Sequence, residues 1–390
     1  MNVCHIWPNF FPIEFGGVER YILSLSDFLS QQDRNMHFLL LTDKSSISFA
    51  RSPGIRNHER INSLEIHRLN APFQSLLTKA SYKIFHRNLK LINKSLMINL
   101  FNAASSIRGI DKVDIFHIHG LWLPLYPTIG LLLSQHFHRP FVITLHGDSV
   151  DPEDPYSMPI RSATTIDMFD RADAITTFSQ KTCNILSQLG MGRKSQLIPN
   201  FIDTRLFKRP ILNRHSSGTR IVMISRLSKP KDPMTPIRAF AKVIKEVPEA
   251  TFEIVGYGPL YEYANRLVQE LNLQRAVTFV GMQPDVRKFL WNSDIFIATR
   301  GSYITTLEAW AAGIPVVAPK FGIMEELISD GQDGLLPPPG DTDLLASELI
   351  NLIKNKHLRA TLAANGIEAA EKHDIRNVAP LIAGIYKSII

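Results

Sequence analysis

Cysteine is nearly missing from this chain: Cys4 and Cys183 are the only two in 390 residues. Two thiols make no disulfide framework and, by themselves, no zinc site. Such poverty fits a reducing compartment. Long apolar runs are missing too, since none reaches the ~18 residues that a membrane-spanning helix needs. The opening MNVCHIWPNFFPIEFGG lacks a basic stretch and carries Pro8, Asn9, Pro12 and Glu14. It reads as a first strand entering a loop, not as a leader peptide. Glycine (21) and proline (24) are too few for a fibrous or low-complexity protein. Charged residues make up only 20% against 45% hydrophobic, which argues against a largely disordered chain. At roughly 100–200 residues per domain, the length suggests two domains. The net charge of +7 permits phosphates, lipid head groups or nucleic acid as partners and does not choose among them.

What is present is an alternation. Short Val/Ile/Leu/Phe runs at 2–6, 37–42, 64–68, 113–118, 140–145 and 174–178 read as strands buried on both faces. A second series follows at 220–225, 251–255, 276–280, 294–298 and 314–318. Helical periodicity fills the gaps: Val18, Tyr21, Ile22, Leu25 and Leu29 share one stripe, and 235–246, 259–271 and 341–354 behave likewise. Strand–helix alternation predicts parallel sheets with right-handed crossovers. The pattern pauses at PNFIDTRLFKRPILNRHSSG, residues 199–218, the best linker. The expected fold is therefore α/β, with two doubly wound Rossmann-like domains facing a cleft. They cover 1–200 and 205–372, and a last helix within 373–390 can pack on either domain. In such folds ligands sit at the carboxyl ends of the strands.

Charge is unevenly spread. Residues 51–110 hold ten Lys/Arg and only Glu59 and Glu65 as acids. Lys79, Lys83, Arg87, Lys90 and Lys94 fall within about 80° of a helical wheel, with Leu77, Ile84, Phe85, Leu91, Ile92 and Leu96 elsewhere. The segment 76–98 reads as a basic amphipathic helix: a solvated outer face, or a dock for an anionic membrane or lipid-phosphate acceptor. Aromatics do not interleave with the stripe as stacking platforms would, which counts against nucleic acid.

Four strand ends offer chemistry. Gly16-Gly17-Val18-Glu19-Arg20 sits between the first strand and first helix, where glycine lets backbone approach a ligand and a helix N-terminus favours phosphate. Taken alone, two glycines in a loop are more often just a turn. Arg226 follows the strand IVMIS, with Lys229 and Lys231 behind it. Arg binds phosphate bidentately and Lys acts as a point charge, while a solvated loop is the plain alternative. Gly256-Tyr257-Gly258-Pro259 is a partial dinucleotide fingerprint, but Tyr261 stands at the third glycine position and no acidic partner follows, which counts against a nicotinamide enzyme. Gly301-Ser302-Tyr303-Ile304-Thr305-Thr306-Leu307-Glu308 opens a helix after the strand IFIA. Its amides can cradle phosphate, and Glu308, about one turn in, suits ribose hydroxyls. Asp341-Thr342-Asp343 follows a Pro-Pro-Gly turn and reads as a helix cap rather than a metal-binding triplet.

Taken in order, the strings ISRLSKPKD, VGYGPLYE, VTFVGM, SDIFIA, LEAWAAGIPVVAP and DGQDGLLPPPGD resemble the nucleotide-binding domain of the family 4 retaining glycosyltransferases, which have the GT-B fold. GGVER, IFHIHG, VITLHG and IPNFID extend the resemblance over nearly the whole chain. The resemblance implies that Gly17 approaches the donor diphosphate and that Arg226 and Lys231 hold it and stabilise the leaving group. It implies that the amides of Ile304 and Thr305 bind phosphate and that Glu308 binds the ribose. His119 matches a histidine near the reacting sugar, and His146 lines the acceptor side. It implies no cofactor and no required metal, with fixed cations and amides meeting the charge on the departing diphosphate. One position departs: Arg300 stands eight residues before Glu308, where the family has its first glutamate, after a shortened loop. The donor sugar can carry a group that wants a cation, Arg300 can be a third diphosphate contact, or the protein can bind nucleotide and transfer poorly. The expected activity is transfer of a hexose from a nucleotide diphosphate sugar to a saccharide or lipid-linked saccharide, with retention. Its setting would be cell-surface polysaccharide assembly, in the cytoplasm or at the inner membrane face. A non-catalytic partner subunit and a nucleotide-sugar epimerase are the other readings.

Overall fold

The computed structural model describes residues 1–8, 10, 16–43, 56–69, 97–121, 125–146, 163–210 and 218–390. The basic segment carrying Lys79, Lys83, Arg87, Lys90 and Lys94 lies outside the described residues. The chain divides into two compact units, Met1–Pro199 with Val378–Ile390, and Asn200–Asn377.

Among the described residues the first unit is built on eight strands: β1 (Asn2–Ile6), β2 (His37–Asp43), β3 (His58–Ile61), β4 (Leu64–Leu69), β5 (Ile115–His119), β6 (Phe141–Leu145), β7 (Ala174–Thr177) and β8 (Ser195–Leu197). Their order is β3-β4-β2-β1-β5-β6-β7-β8. All pairs are parallel except β3 with β4. The chain winds outward from β1 on one side and from β5 on the other, so the direction of winding reverses between β1 and β5. That reversal is where doubly wound sheets open a crevice for ligands. Cys4, Ile6, Phe116, Ile118, Ile143 and Ile175 belong to one apolar cluster of this unit. The helix Leu125–Phe137 packs there closely: a Cβ at Gly130 would lie 2.7 Å from Ile118 Cδ1. The alternate residues of β1 and β5 have a different character. His5 pairs in register with His117, and His119 with Thr144.

The second unit has, among the described residues, six parallel strands, β9 (Arg220–Ile224), β10 (Thr251–Val255), β11 (Val277–Gly281), β12 (Ile295–Ile297), β13 (Val316–Val317) and β14 (Gly334–Leu335), in the order β11-β10-β9-β12-β13-β14. Winding reverses again, here between β9 and β12. Ile221, Met223, Phe240, Phe252, Ile254, Ile297 and Leu349 are buried in its core. The helix Thr342–Lys354 starts at Asp341, whose side chain accepts the Leu344 amide, so the Asp-Thr-Asp triplet is a cap.

The closing helix, Ile375–Ile389, starts in the second unit and continues in the first. Its entry is tied down by Ile375 N–H to the Ile202 carbonyl at 2.8 Å and by the buried Asp374, which accepts from Thr204 Oγ1 (2.5 Å) and Arg376 Nε (2.6 Å). Burial opposes ionisation of Asp374, but the hydrogen bonds from Arg376 and Thr204 outweigh it and bring its pKa to about 2. Tyr386 lies further along, fully buried, with its hydroxyl 2.6 Å from His117 Nδ1. No helix among the described residues is long and apolar enough to cross a membrane.

Candidate active site

In the second unit, the glycines of VGYGP, after β10, lie against the loop that follows β9. A Cβ at Gly256, where φ is +138°, would lie 1.9 Å from the Ser225 carbonyl oxygen. One at Gly258 would lie 2.4 Å from that of Leu227. Only glycine lets the two loops touch backbone to backbone. They are joined by Ser225 N–H to Val255 O (2.9 Å) and Leu227 N–H to Tyr257 O (3.2 Å). The fingerprint fragment is thus a brace for the segment bearing Arg226, which is exposed.

The adjacent strand end is held by Ser225 Oγ and Thr299 Oγ1 at 2.8 Å. Lys231 ends a short 3-10 turn, and its Nζ donates to the Arg300 carbonyl at 2.6 Å. The carboxylate of the neighbouring Asp232 receives Thr235 Oγ1 at 2.7 Å and Thr235 N–H at 3.3 Å. The helix Tyr303–Ala311 begins here without a side-chain cap. Its N-cap hydroxyl is turned back, with Ser302 Oγ 2.7 Å from Thr299 Oγ1 and accepting the Thr299 amide at 3.3 Å. Ile304 and Thr305 lie in the first turn, at the positive end of the helix dipole. Glu308, one turn on, is 1% exposed. The Arg300 guanidinium lies over the Phe321 ring, 3.6 Å from its centre, a cation–π contact. Lys231, Thr299, Arg300, Pro319 and Pro338 border a cavity of about 40 Å³. The strand ends beside the winding reversal thus gather Arg226, Lys231, Arg300, Ile304, Thr305 and Glu308.

In the first unit, Gly16 and Gly17 open the helix Gly17–Gln32. Glu19 fixes this entry. One carboxylate oxygen accepts the Gly16 amide and the other accepts Trp7 Nε1, both at 2.8 Å. The glutamate of GGVER is therefore a capping-box residue.

Beside it stands a row of imidazoles. His5 Nδ1 is 2.8 Å from His119 Nε2, and His119 Nδ1 is 3.0 Å from His146 Nε2. The His117 ring lies tilted against His119, 4.1 Å between centres, and is bonded to Tyr386 and, at 2.6 Å, to Thr144 Oγ1. Thr144 continues to Thr176 Oγ1 at 2.6 Å and to the hydroxyl of Tyr21. The Tyr21 ring stands edge-on to His146, 4.9 Å away. Burial pushes His5 and His146 down to about 3. Burial, together with neighbouring histidines, holds His117 and His119 well below their ordinary value. All four are neutral at pH 7. His5, His117 and His119 bring ring nitrogens within 4.8 Å of one another, a spacing that a metal ion could use. Yet both nitrogens of His117 and of His119 already have hydrogen-bond partners, so the donor set is that of a hydrogen-bonded chain. Sequence reasoning found His119 and His146 and missed His5, Thr144 and Tyr386. A histidine inside the apolar run NVCHI was the available signal for His5. Nothing in the sequence marked Tyr386.

The comparisons with known proteins agree with this architecture. Residues 15–206 match the model of Glycosyltransferase Family 4, and 205–369 match that of Glycosyl transferases group 1. The chain belongs to the family 4 glycosyltransferases, enzymes of the GT-B fold. Among its relatives is the N-acetyl-alpha-D-glucosaminyl L-malate synthase of Bacillus anthracis, 26% identical over 78% of this chain and 84% of the relative. The sucrose-phosphate synthase of Thermosynechococcus elongatus shares the fold with a TM-score of 0.79 and 20% identity, over 99% of this chain and 98% of that one. Anabaena HepE, solved in complex with UDP and glucose, does so with a TM-score of 0.73 and 19% identity, over 99% of each chain.

Proposed function

We propose that this glycosyltransferase takes a hexose from a nucleotide diphosphate sugar and passes it to a saccharide or lipid-linked saccharide, with retention of anomeric configuration, in cell-surface polysaccharide assembly. The observation that carries the reading is Lys231, held 2.6 Å from the Arg300 carbonyl beside an uncapped helix start. Breaking a sugar–phosphate bond leaves growing negative charge on the diphosphate. A pinned ammonium, the Arg226 guanidinium and the amides of Ile304 and Thr305 can meet that charge without reorganising and without a metal. Glu308 accepts from ribose hydroxyls, and Gly17 lets backbone approach the diphosphate. His119 and His146 serve the sugar side. The complexes of HepE with UDP and glucose support a uridine nucleotide as the first donor to try.

The test is thermal unfolding against nucleoside diphosphates and their sugars. A ligand at ~100 times its dissociation constant adds about 2.7 kcal/mol of stability. A shift with one nucleotide, unchanged by a chelator, is expected and names the donor class. No shift with any would sink the reading. Product anomeric configuration by NMR tests retention. Arg300 motivates one competing reading, a partner subunit that binds nucleotide without transfer. Binding without turnover at saturating donor and acceptor would favour it. The basic stripe Lys79, Lys83, Arg87, Lys90 and Lys94 is our proposed contact with an anionic membrane at its inner face. Equal liposome binding after its neutralisation would remove that contact.

A further inference from the structure

His119 has no ring nitrogen to spare. A neutral imidazole carries one N–H and one bare nitrogen. In His119 the first faces one histidine and the second faces another, at 2.8 and 3.0 Å. The direction of one hydrogen bond therefore sets the direction of the other, and the three rings share a single polarity.

Two polarities exist. In one, every proton sits on Nδ1: His5 donates to His119, His119 donates to His146, and His146 turns an N–H outward. In the other, every proton sits on Nε2, His146 turns a bare nitrogen outward, and His5 Nε2–H points into the interior. His5 is fully buried, and its Nε2 has no hydrogen-bond partner among the described residues. Its ring lies stacked on Phe38, 5.6 Å between centres. The second polarity would orphan a donor where water cannot reach, and orphaned buried N–H groups are the rarer defect. The first leaves only a bare lone pair there. At the other end, His146 is partly exposed, and its Nδ1 has no partner among the described residues.

We propose that His5 is a positioning residue, which through His119 locks His146 as the Nδ1–H tautomer, so that His146 offers a hydrogen-bond donor to an oxygen of the bound saccharide and does not act as a base. The saccharide rests on the function proposed above; the tautomer does not. The chain cannot carry a proton through. A proton entering at His146 would have to end as a cation on His5, which has no exit. The relay fixes direction without conducting charge. His119 then acts through its neighbours and not by touching the sugar with a ring nitrogen.

Long-range proton–nitrogen NMR on histidine-labelled protein tests this without turnover, since protonated and bare ring nitrogens resonate far apart. At pH 7 the wild type should show His5, His119 and His146 all protonated on Nδ1. Finding His119 or His146 protonated on Nε2 would overturn the proposal. In His5→Phe the donor is gone, and His146 should lose its single tautomer. In His5→Asn the amide nitrogen takes about the place of Nδ1, and the tautomer should return. Unchanged tautomers in His5→Phe would remove His5 from the relay. If His5→Phe does not fold, the wild-type spectrum and His5→Asn still decide. With donor and acceptor in hand, His5→Phe should lower kcat about tenfold, the worth of one hydrogen bond, with partial recovery in His5→Asn. A tautomer result as expected with no transfer at all would sink the function and leave the relay standing.

Discussion

Where winding reverses between β1 and β5, the strand ends carry neutral imidazoles wedged among aromatic rings and hydroxyls. Where it reverses between β9 and β12, they carry Arg226, Lys231 and Arg300 around an uncapped helix. The two sheets use one topology and opposite electrostatics. Charge is kept at one reversal by pinning it to backbone carbonyl and aromatic ring. It is kept out of the other by burial and by making histidines satisfy one another. A diphosphate needs the first environment. On the function proposed above, the sugar hydroxyls would meet the second.

Four substitutions or conditions can break or sharpen this contrast. The largest effect is expected from Lys231→Ala, which removes the pinned cation and should lower turnover by ~100-fold or more, measured at saturating donor and acceptor. Unchanged turnover would take Lys231 out of the chemistry.

Acid should separate the two units next. An unfolded histidine titrates near 6.5, whereas His5 and His146 are pushed to about 3 when folded. Between those values the unfolded chain binds more protons. Stability is therefore full above about pH 6.5 and falls as pH drops toward 3, by about 1.4 kcal/mol per pH unit for each such histidine. Asp374 acts lower: its support is present above the usual value of 3.8 and is lost as pH falls toward 2. Proteolysis at pH 5 should open the first unit before the second. Simultaneous opening would contradict the contrast.

Tyr386→Phe should be milder. It strips His117 Nδ1 of its 2.6 Å partner in a buried setting. The cost expected in urea unfolding is about 1–3 kcal/mol. A loss below measurement would mean another group takes the bond.

The smallest effect belongs to Phe321→Leu. It removes the ring under Arg300, a contact worth about 0.5–1 kcal/mol. The donor KM should rise less than tenfold with kcat unchanged. A fall in kcat would place Arg300 in the charge-stabilising set itself.

Much of this was legible in the sequence. Strands buried on both faces announce themselves as apolar runs, and eleven such runs correspond to β1, β2, β4 to β7 and β9 to β13. β3, β8 and β14 were missed for a physical reason. β3 alternates between exposed and half-buried residues, β8 is mostly exposed, and β14 is two residues long, so none needs an apolar run. The cations at 226 and 231 could be read because loop charges right after a strand are conspicuous, and Arg300 through the family resemblance, by its spacing from Glu308. The relay could not, because it depends on register. His5 lies beside His117 only once β1 pairs with β5, and Tyr386 reaches His117 from 269 residues away.

That last separation carries a consequence for synthesis. Residues 1–199 leave the ribosome long before Tyr386 is made, and nascent domains ordinarily fold as they emerge. This unit is completed only when Val378–Ile390 joins it. A chain stalled before residue 378 should stay protease-sensitive across its first 199 residues, with β1 and β5 missing part of their cover. Translation time thus becomes a folding variable, and the closing helix acts as the latch that ends the interval.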